Sequence, residues 1–260
     1  MKISIITLFP AMISGFFQES IVKRAQEKGA VDIELVNLRD FATDSYGMID
    51  DKPYGGGAGM VLKVEPIYKA LEKIKHQRSK IKITNQNSKV IYTSPKGRWF
   101  DQEKAQEYAK LDHLIILAGH YEGVDERVMQ FADEEVSLGD FVMTGGEIVA
   151  ATIVDSVVRL LPGVLKKEEA TQKESFFEIS INQLIESIGE DELLLQLKEA
   201  GVSSVKLLEY PQFTRPEEFM GQKVPEILLS GNHQEIEKWR IKKAYAETVK
   251  KRLDLLKRAV

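Results

Sequence analysis

The amino-acid sequence predicts an α/β protein built on a mostly parallel sheet. Short apolar runs alternate with amphipathic stretches through the first 160 residues, and a strongly apolar helical pattern follows them. Alternation of this kind is typical of βα units, in which helices cover a parallel sheet. Ligands of such folds bind beyond the carboxyl ends of the strands, so we expect the site in the loops there.

Each element has its own signal. Buried strands are predicted by KISIITLF, VDIELVNL, SKVIYTS and HLIILAG, and helices by AMISGFFQESIVKRAQEKG, EPIYKALEKIK and DQEKAQEYAK. GGEIVAATIVDSVVRLLPGVL predicts a helix with apolar residues almost all round, which the core or a second subunit must cover. Beyond residue 165, INQLIESIGEDELLLQLKEAG predicts one or two short helices. A last helix is predicted by the apolar spacing of Ile236, Trp239, Ala246, Val249 and Leu253.

The composition is that of an ordinary globular protein. The 260 residues are 43% hydrophobic and 29% charged, without cysteine, which excludes thiolate chemistry and favours a reducing cytoplasm. Four scattered histidines argue against a histidine-based metal site. No apolar run approaches the roughly 18 residues of a membrane span, and the short run before Pro10 does not resemble a signal peptide.

Charge is distributed unevenly along the chain, although the net charge is only −4. Between Glu168 and Glu199, nine acidic residues face two lysines, whereas between Lys238 and Arg258 nine basic residues face two acidic ones. A basic segment of this kind is either a solvated helix face or a surface that meets phosphates.

The glycine-rich segment DKPYGGGAGMVLK (51–63) first suggests a phosphate loop. It lacks the Gly-Lys-Ser/Thr sequence of a Walker loop and the G-x-G-x-x-G spacing of a dinucleotide fingerprint. Without the Walker lysine or an acidic metal cluster, a nucleotide-dependent hydrolase is disfavoured. A long turn, or a bare backbone surface that a ligand can approach, remains.

A second set of glycine-rich segments follows or ends the predicted strands: YTSPKG, AGHYEGVDER and SLGDFVMTGGE. Together with ITLFP, YGGGAGMV, LLPGVL, YPQFTRP, VPEILLSGNH and EIEKWR, and in this order, they resemble the bacterial tRNA (guanine-N1)-methyltransferases of the SPOUT superfamily. The resemblance covers nearly the whole chain.

This resemblance implies a SPOUT-type parallel sheet with a deep trefoil knot, plus a small helical C-terminal domain. It also implies a homodimer whose active sites use both subunits, bound S-adenosylmethionine and dependence on Mg²⁺. The substrate would be tRNA, methylated at N1 of the guanine 3′-adjacent to the anticodon. The implied layout is a cofactor-binding and catalytic domain over 1–165, a flexible linker with an acidic insert over 166–209, and a tRNA-binding domain over 210–260.

Carried over by position, the resemblance assigns a cofactor pocket to three loops. Its residues would be Tyr92, Thr93, Ser94, Pro95 and Gly97, then Gly119, Tyr121, Glu122 and Gly123, then Ser137, Leu138, Gly139, Met143, Gly145 and Gly146. Apolar side chains would cover the adenine while main-chain groups read its edge. A carboxylate such as that of Glu122 suits a sulfonium cofactor.

The chemistry needs a base, because guanine N1 carries a proton at neutral pH. Arginine stays protonated, so Arg159, which matches the family's catalytic arginine, would stabilise charge at O6. The family places an aspartate before Ser-Phe in the linker, and here Glu174 stands at that position. We expect Glu174 to be the base, with Glu168, Glu169 and Glu178 as alternatives. An RNA-binding protein that has lost transferase activity is the other reading.

Two further expectations concern RNA. The glycine segment would lie against the anticodon loop, with Tyr54 stacking on a base, Asp50 or Asp51 near a base edge, and Gly55 and Gly59 allowing close approach. On this reading, Gly59→Val weakens tRNA methylation far more than cofactor binding. Lys242 and Lys243 of the basic helix would bind phosphates. The acidic insert, about 32 residues before YPQFTRP, is longer than the family's usual connection and should not lie on tRNA.

Overall fold

The computed structural model of the chain describes residues 1–43, 47–80, 87–166 and 173–257. Contacts divide the chain into two units, Met1–Lys166 and Lys167–Val260. The first unit contains β1 (Lys2–Thr7), α1 (Ala11–Ser14), α2 (Ser20–Glu27), β2 (Asp32–Asn37), β3 (Asp50–Asp51), β4 (Val61–Leu62), α3 (Val64–Lys80), β5 (Ser88–Trp99), α4 (Gln102–Tyr108), β6 (His113–Ala118), β7 (Glu134–Ser137) and α5 (Glu147–Val158).

The first unit is organised around a five-stranded parallel sheet. Its strand order is β2-β1-β6-β5-β7, and each neighbouring pair is parallel, with Ile3 opposite both Ile33 and Leu114. The four strands predicted from apolar runs all lie in it, which confirms the α/β class with a parallel sheet. The fifth, β7, has the sequence EEVS and is too short and polar to show as an apolar run.

Helices cover both faces of this sheet, because side chains alternate along each strand. Ile3 and Ile5 of β1 pack on one face with residues of α2 and α5 such as Ala25 and Val154. Ile6 lies in the cluster of the opposite face, together with Leu71 of α3. The result is a three-layer arrangement that leaves the ends of the strands open to loops.

The first predicted helix is interrupted. AMISGFFQESIVKRAQEKG forms α1, a 3-10 turn at Phe16–Gln18 and α2, rather than one helix. Extended backbone at Glu19 (φ −123°, ψ 159°) separates the turn from α2. The break lets Ile13, Phe17 and Val22 all reach the core, which a single straight helix of that spacing would not allow.

Strand β5 makes an excursion where the sequence has SPKG. Thr93 pairs with Val136 of β7, and five residues later Arg98 pairs with the same residue, so residues 94–97 leave the ladder. Gly97 brings the chain back directly against β7, where an added Cβ would lie 2.7 Å from the carbonyl oxygen of Glu135. This return requires glycine and places residues 94–96 at the carboxyl edge of the sheet.

The second unit has its own hydrophobic core. It contains β8 (Phe177–Ser180), α6 (Ile181–Ile188), α7 (Glu192–Glu199), β9 (Ser204–Leu207), β10 (Glu218–Phe219), β11 (Gln222–Lys223), α8 (His233–Lys251) and α9 (Asp254–Lys257). Leu184 of α6, Leu194 of α7 and Leu207 of β9 pack with Ala244 of α8 and Leu256 of α9. Residues of the acidic insert therefore share one core with the C-terminal helices.

Helix α8 buries only the N-terminal part of the apolar stripe expected for it. Ile236, Ala244, Tyr245 and Thr248 are buried, whereas Ala246, Val249 and Leu253 are exposed. The buried set includes polar atoms with partners: the Tyr245 hydroxyl donates to Asp191, and the Thr248 hydroxyl accepts from the Leu208 amide. Within the described ranges, no helix is long and apolar enough to cross a membrane.

Candidate active site

A cavity of about 250 Å³ opens at the carboxyl edge of three adjacent strands, β6, β5 and β7. Every residue predicted for the cofactor pocket lines it except Gly97, which lies behind it against β7. Three loops that are distant in sequence thus meet at one place, as expected for parallel strands whose carboxyl ends share an edge.

The loops approach so closely because glycines stand where they touch. The Gly146 amide donates to the Gly119 carbonyl at 2.6 Å, and a Cβ on Gly146 would lie 2.8 Å from the Gly119 nitrogen. A Cβ on Gly119 would in turn lie 2.9 Å from the ring of Tyr92. These glycines set the depth of the cavity, because any side chain there would push the loops apart.

The cavity lining combines apolar side chains with more acidic than basic residues. Glu122, Glu126 and Glu135 stand against the single lysine of the lining, Lys96. Burial raises the pKa of the Tyr92 hydroxyl, and the charges of Glu135 and Glu126 raise it further against the lowering effect of its hydrogen bond with Val124. Tyr92 therefore stays neutral at physiological pH and serves as a wall.

The glycine segment 51–63 is tied to the second cavity loop. The Leu62 amide donates to Gly123, the Glu122 amide to Met60 and the Asp125 amide to Leu62, at 2.9–3.1 Å. β3 and β4 form a short hairpin base in which Asp50 is opposite Leu62. The loop between them is exposed, with Tyr54 projecting fully into solvent and Gly55 and Gly59 in the left-handed region.

Gly59 contacts the cavity wall, although the sequence analysis placed it only on the surface expected to meet RNA. Its Cα faces the side chain of Glu122, and a Cβ would lie 2.9 Å from the carboxyl carbon. Gly59→Val would therefore disturb the cavity wall as well as the exposed loop. The substitution does not separate RNA contacts from cofactor contacts.

The two residues expected to act on the base lie in different units. Arg159 caps the C-terminus of α5 and is half-buried, outside the cavity lining. Glu174 is half-buried in the turn that precedes β8, and its carbonyl accepts from the Phe177 amide. Of the alternatives, Glu178 lies on β8 and accepts from the Ser204 hydroxyl, and Glu168 and Glu169 lie outside the described residues.

The basic helix α8 carries exposed charge. Lys242 and Lys243 are both exposed, and the Lys243 ammonium lies 5.9 Å from the centroid of the Trp239 ring. Phe213 packs near the same ring, at 6.3 Å between centroids. Charge and aromatic surface therefore stand side by side on this unit.

Ten cavity residues were not predicted from the sequence. They are Lys96, His120, Val124, Glu126, Met129, Glu135, Val136, Phe141, Val142 and Val149. Seven of them lie inside segments that were singled out, so the signal was present: Lys96, His120, Val124, Glu126, Phe141, Val142 and Val149. Glu135, Val136 and Met129 come from β7 and the 3-10 turn before it, and no sequence pattern marked them.

Fold and site together define a class: an α/β protein with a loop-lined cavity at the carboxyl edge of a parallel sheet. A family model described as tRNA (guanine-1)-methyltransferase TrmD matches residues 1–258. The chain therefore belongs to the tRNA (guanine-1)-methyltransferase family, which confirms the family and the enzyme class predicted from its motifs.

Individual relatives agree along almost the full length. The tRNA (guanine-N(1)-)-methyltransferase of Carboxydothermus hydrogenoformans is 48% identical over 258 residues, 99% of this chain and 88% of the relative. The enzymes of the same name from Geobacillus kaustophilus and Clostridium botulinum are 48% and 46% identical, over 98% and 100% of this chain and 91% and 94% of theirs.

Proposed function

We propose that this enzyme transfers the methyl group of S-adenosylmethionine to N1 of the guanine 3′-adjacent to the anticodon of tRNA. The observation that carries the proposal is the cavity, because the three motifs assigned to the cofactor by family resemblance converge on it. Family membership supports the substrate class, and the family's curated relatives are named for methyl transfer to guanine N1 of tRNA.

The cavity suits the cofactor chemically. Tyr92, Leu138 and Met143 offer apolar walls to an adenine ring, and the glycine loops present main-chain groups where no side chain could fit. Three carboxylates in the lining favour a ligand with a positive sulfonium centre. When bound there, S-adenosylmethionine supplies an electrophilic methyl group.

The chain's own residues have two tasks in this mechanism. We assign Glu174 as the base that accepts the proton from guanine N1, so that the lone pair on N1 becomes nucleophilic. Negative charge then develops towards O6, and the Arg159 guanidinium stabilises it. Arg159 cannot take the proton itself, because a guanidinium remains protonated in proteins.

The position of Arg159 supports a homodimer with shared active sites. The cavity touches the N-terminal end of α5 at Gly146 and Val149, whereas Arg159 stands at the other end of that helix. Arg159 is ten positions beyond Val149 and thirteen beyond Gly146, which corresponds to about 15–20 Å along the helix, too far for one guanine to meet both the cavity and Arg159 of the same chain. We therefore propose that Arg159 of the partner subunit completes each site.

The surface of α5 is consistent with such a partner. Ile148, Thr152 and Asp155 form an exposed stripe on a helix that is otherwise buried, and Ile148 is 46% exposed. Met12 and Phe16 in the neighbouring α1 region are also exposed, at 50% and 46%. Exposed apolar groups of this size favour a subunit interface on this face of the unit.

The remaining features of the family extend the proposal. They are the trefoil knot in the sheet domain, the tRNA-binding role of the C-terminal part, and a cytoplasmic location that gives access to tRNA. Asp50, Tyr54, Gly55 and Gly59 would face the anticodon loop, while Lys242 and Lys243 bind phosphates. The part of the chain that the structure describes has no cluster of three or more side chains suited to a metal, so no step is assigned to Mg²⁺.

The direct test is methyl transfer from labelled S-adenosylmethionine to a tRNA transcript with guanine after the anticodon. The expected result is one methyl group at N1 of that guanine and none when adenine replaces it. An unlabelled transcript despite bound cofactor would instead support the non-catalytic RNA-binding reading, and label on the adenine variant would contradict the assigned target.

A further inference from the structure

Glu147 is an almost completely buried acidic side chain, and it lies directly behind the cavity. Glu147 is the only buried carboxylate among the residues that the structure describes. Burying a carboxylate costs free energy of folding. Replacing a buried charged group with apolar residues of similar size often leaves the stability of a protein unchanged or raises it. Stability alone therefore does not account for an acid at this position.

The Glu147 carboxylate joins three segments that are far apart in sequence. The Thr7 hydroxyl, at the end of β1, donates to its Oε1 at 2.9 Å. Its Oε2 lies 3.4 Å from Nδ1 of His120, in the loop after β6. Glu147 itself is the first residue of α5, where a negative charge also interacts well with the helix dipole. We call Thr7, His120 and Glu147 the buried latch.

The backbone is shaped to fit this latch. His120 and Gly145 form an isolated antiparallel bridge, so the two loops are paired at that point. A Cβ on Gly145 would collide with the His120 ring, 2.9 Å from Cε1, and with the Glu147 carboxylate. Gly145 is therefore required for the histidine and the carboxylate to meet.

The latch reaches the cavity through the residue next to His120. His120 lines the cavity, and its ring packs edge-on against Tyr121 at 4.8 Å and at a tilt against Phe9 at 4.7 Å. Tyr121, also in the lining, has φ of +59°, a left-handed conformation that costs a non-glycine residue roughly 1–2 kcal/mol. Such a conformation persists where its surroundings hold it.

We propose that the buried latch is a positioning device for methyl transfer: the Glu147–His120 hydrogen bond holds the loop of residues 119–123 in the shape that binds the methyl donor. His120 and Glu147 are positioning residues, because they act through the conformation of Tyr121 and its loop. This inference rests on the proposed cofactor site and adds two residues that the motif assignment did not include.

Two substitutions at Glu147 separate positioning from stability. Glu147→Met keeps the length and leaves no buried charge, so the protein should unfold within about 3 °C of the wild type. It removes both hydrogen bonds, however, and the KM for S-adenosylmethionine should rise about ten-fold, the size of one hydrogen bond to a charged group. The KM for tRNA should change less than two-fold.

Glu147→Gln can accept from Thr7 and donate to Nδ1 of His120, so the KM of this variant for S-adenosylmethionine should stay within about three-fold of the wild type.

The matched control is His76→Ala, which removes a surface histidine 3.6 Å from Glu72 on α3 and should change neither KM. If Glu147→Met fails to fold, the double variant His120→Ala/Glu147→Gln removes the same bond without an unpaired charge and should show the same ten-fold rise. A wild-type KM in the folded Glu147→Met or double variant would overturn the proposal, and so would an equal rise in Glu147→Gln. Calorimetry measures the affinity for S-adenosylmethionine without any methyl acceptor. It therefore tests the buried latch even if the acceptor were not tRNA, and a failure of the proposed function can be told apart from a failure of this proposal.

Discussion

At the scale of single residues, the choice of base can be tested most sharply. Glu174→Gln keeps the size of the side chain and removes its ability to accept a proton, so methyl transfer should fall at least 10²-fold, the usual size of a general-base contribution. S-adenosylmethionine binding should be unchanged, because the variant leaves the cavity lining intact. Single-turnover transfer and calorimetric binding measure the two effects.

Glu178→Gln is the control for this substitution. Glu178 lies four residues further along, on the exposed face of β8, where its carboxylate accepts from Ser204. The Glu178→Gln variant should retain full methyl-transfer activity. Turnover of Glu174→Gln within two-fold of the wild type would remove Glu174 from the mechanism, and a loss confined to Glu178→Gln would transfer the role to that residue.

Single glycines show what the sequence could and could not reveal about the site. Gly119 and Gly146 stood out because each ends or follows a strand motif, and both line the cavity. The sequence could not show that Gly97 faces the β7 backbone, since that depends on the path of β5. Nor could it mark Glu147, because a buried acid and an exposed first-turn glutamate look alike in a helical pattern.

At the scale of elements, an ion-pair network ties β5, α4 and β7 together beside the sheet. Lys89 and Lys104 each contact Glu107 and Glu134, and the Tyr108 hydroxyl donates to Glu134 at 2.8 Å. Burial by itself raises the pKa of Glu134, but Lys104, Tyr108 and Lys89 outweigh it and leave the pKa below the ordinary 4.5. The network therefore stabilises the fold when Glu134 is ionised.

The lowered pKa of Glu134 predicts how the stability of the protein depends on pH. A carboxylate whose pKa is lowered in the folded state contributes stability above its unfolded pKa and loses it as pH falls through the folded value. Glu134→Gln should lower the free energy of unfolding at pH 7 by about 1 kcal/mol, a modest value because the pairs are partly exposed. The difference from wild type should shrink below pH 4.5. Denaturant unfolding between pH 3 and 7 measures it, and a difference independent of pH would contradict the ionic explanation.

The basic helix α8 makes a prediction of its own about RNA. Lys242 and Lys243 are exposed, so Lys242→Ala/Lys243→Ala should weaken tRNA binding and reduce the slope of log affinity against log salt by about 1–2, because each lysine that neutralises a phosphate releases about one counterion. Lys69→Ala/Lys75→Ala, on the exposed face of α3, is the control and should keep the wild-type slope. Filter binding across a salt series gives the slopes. Identical slopes for all three proteins would exclude α8 as the phosphate-binding surface.

The face that α8 buries illustrates the limits of periodicity within an element. The apolar spacing pointed to Ile236, Trp239, Ala246, Val249 and Leu253. Of these, Ile236 is buried and Trp239 is half-buried, but the last three are exposed, and Tyr245 and Thr248 are buried instead. Their hydroxyl groups have partners in Asp191 and Leu208, which belong to the acidic insert. Because those partners come from a distant segment, the pattern of the helix alone could not identify its inner face.

At the scale of the whole molecule, local patterns predicted the class of the fold but not its connections. The alternation of strands and helices predicted a parallel sheet, and the sheet is parallel. Its order β2-β1-β6-β5-β7 places β1 and β6, which are separated by more than a hundred residues, side by side. Which strand lies beside which is decided by how both faces are covered, and apolar runs of similar composition carry no such information.

The last prediction concerns two copies of the chain and tests whether they share the active site as proposed. Arg159→Ala should abolish transfer, and Met143→Trp, which fills the cavity from an exposed lining position, should abolish cofactor binding. A heterodimer of the two variants would contain one intact site, because the unblocked cavity belongs to one chain and the intact arginine to the other. Random mixing by denaturation and refolding should therefore restore about a quarter of the wild-type activity, since about half of the dimers are mixed and each has one working site. If each chain carried its own complete site, no mixture of these two inactive proteins would transfer methyl groups.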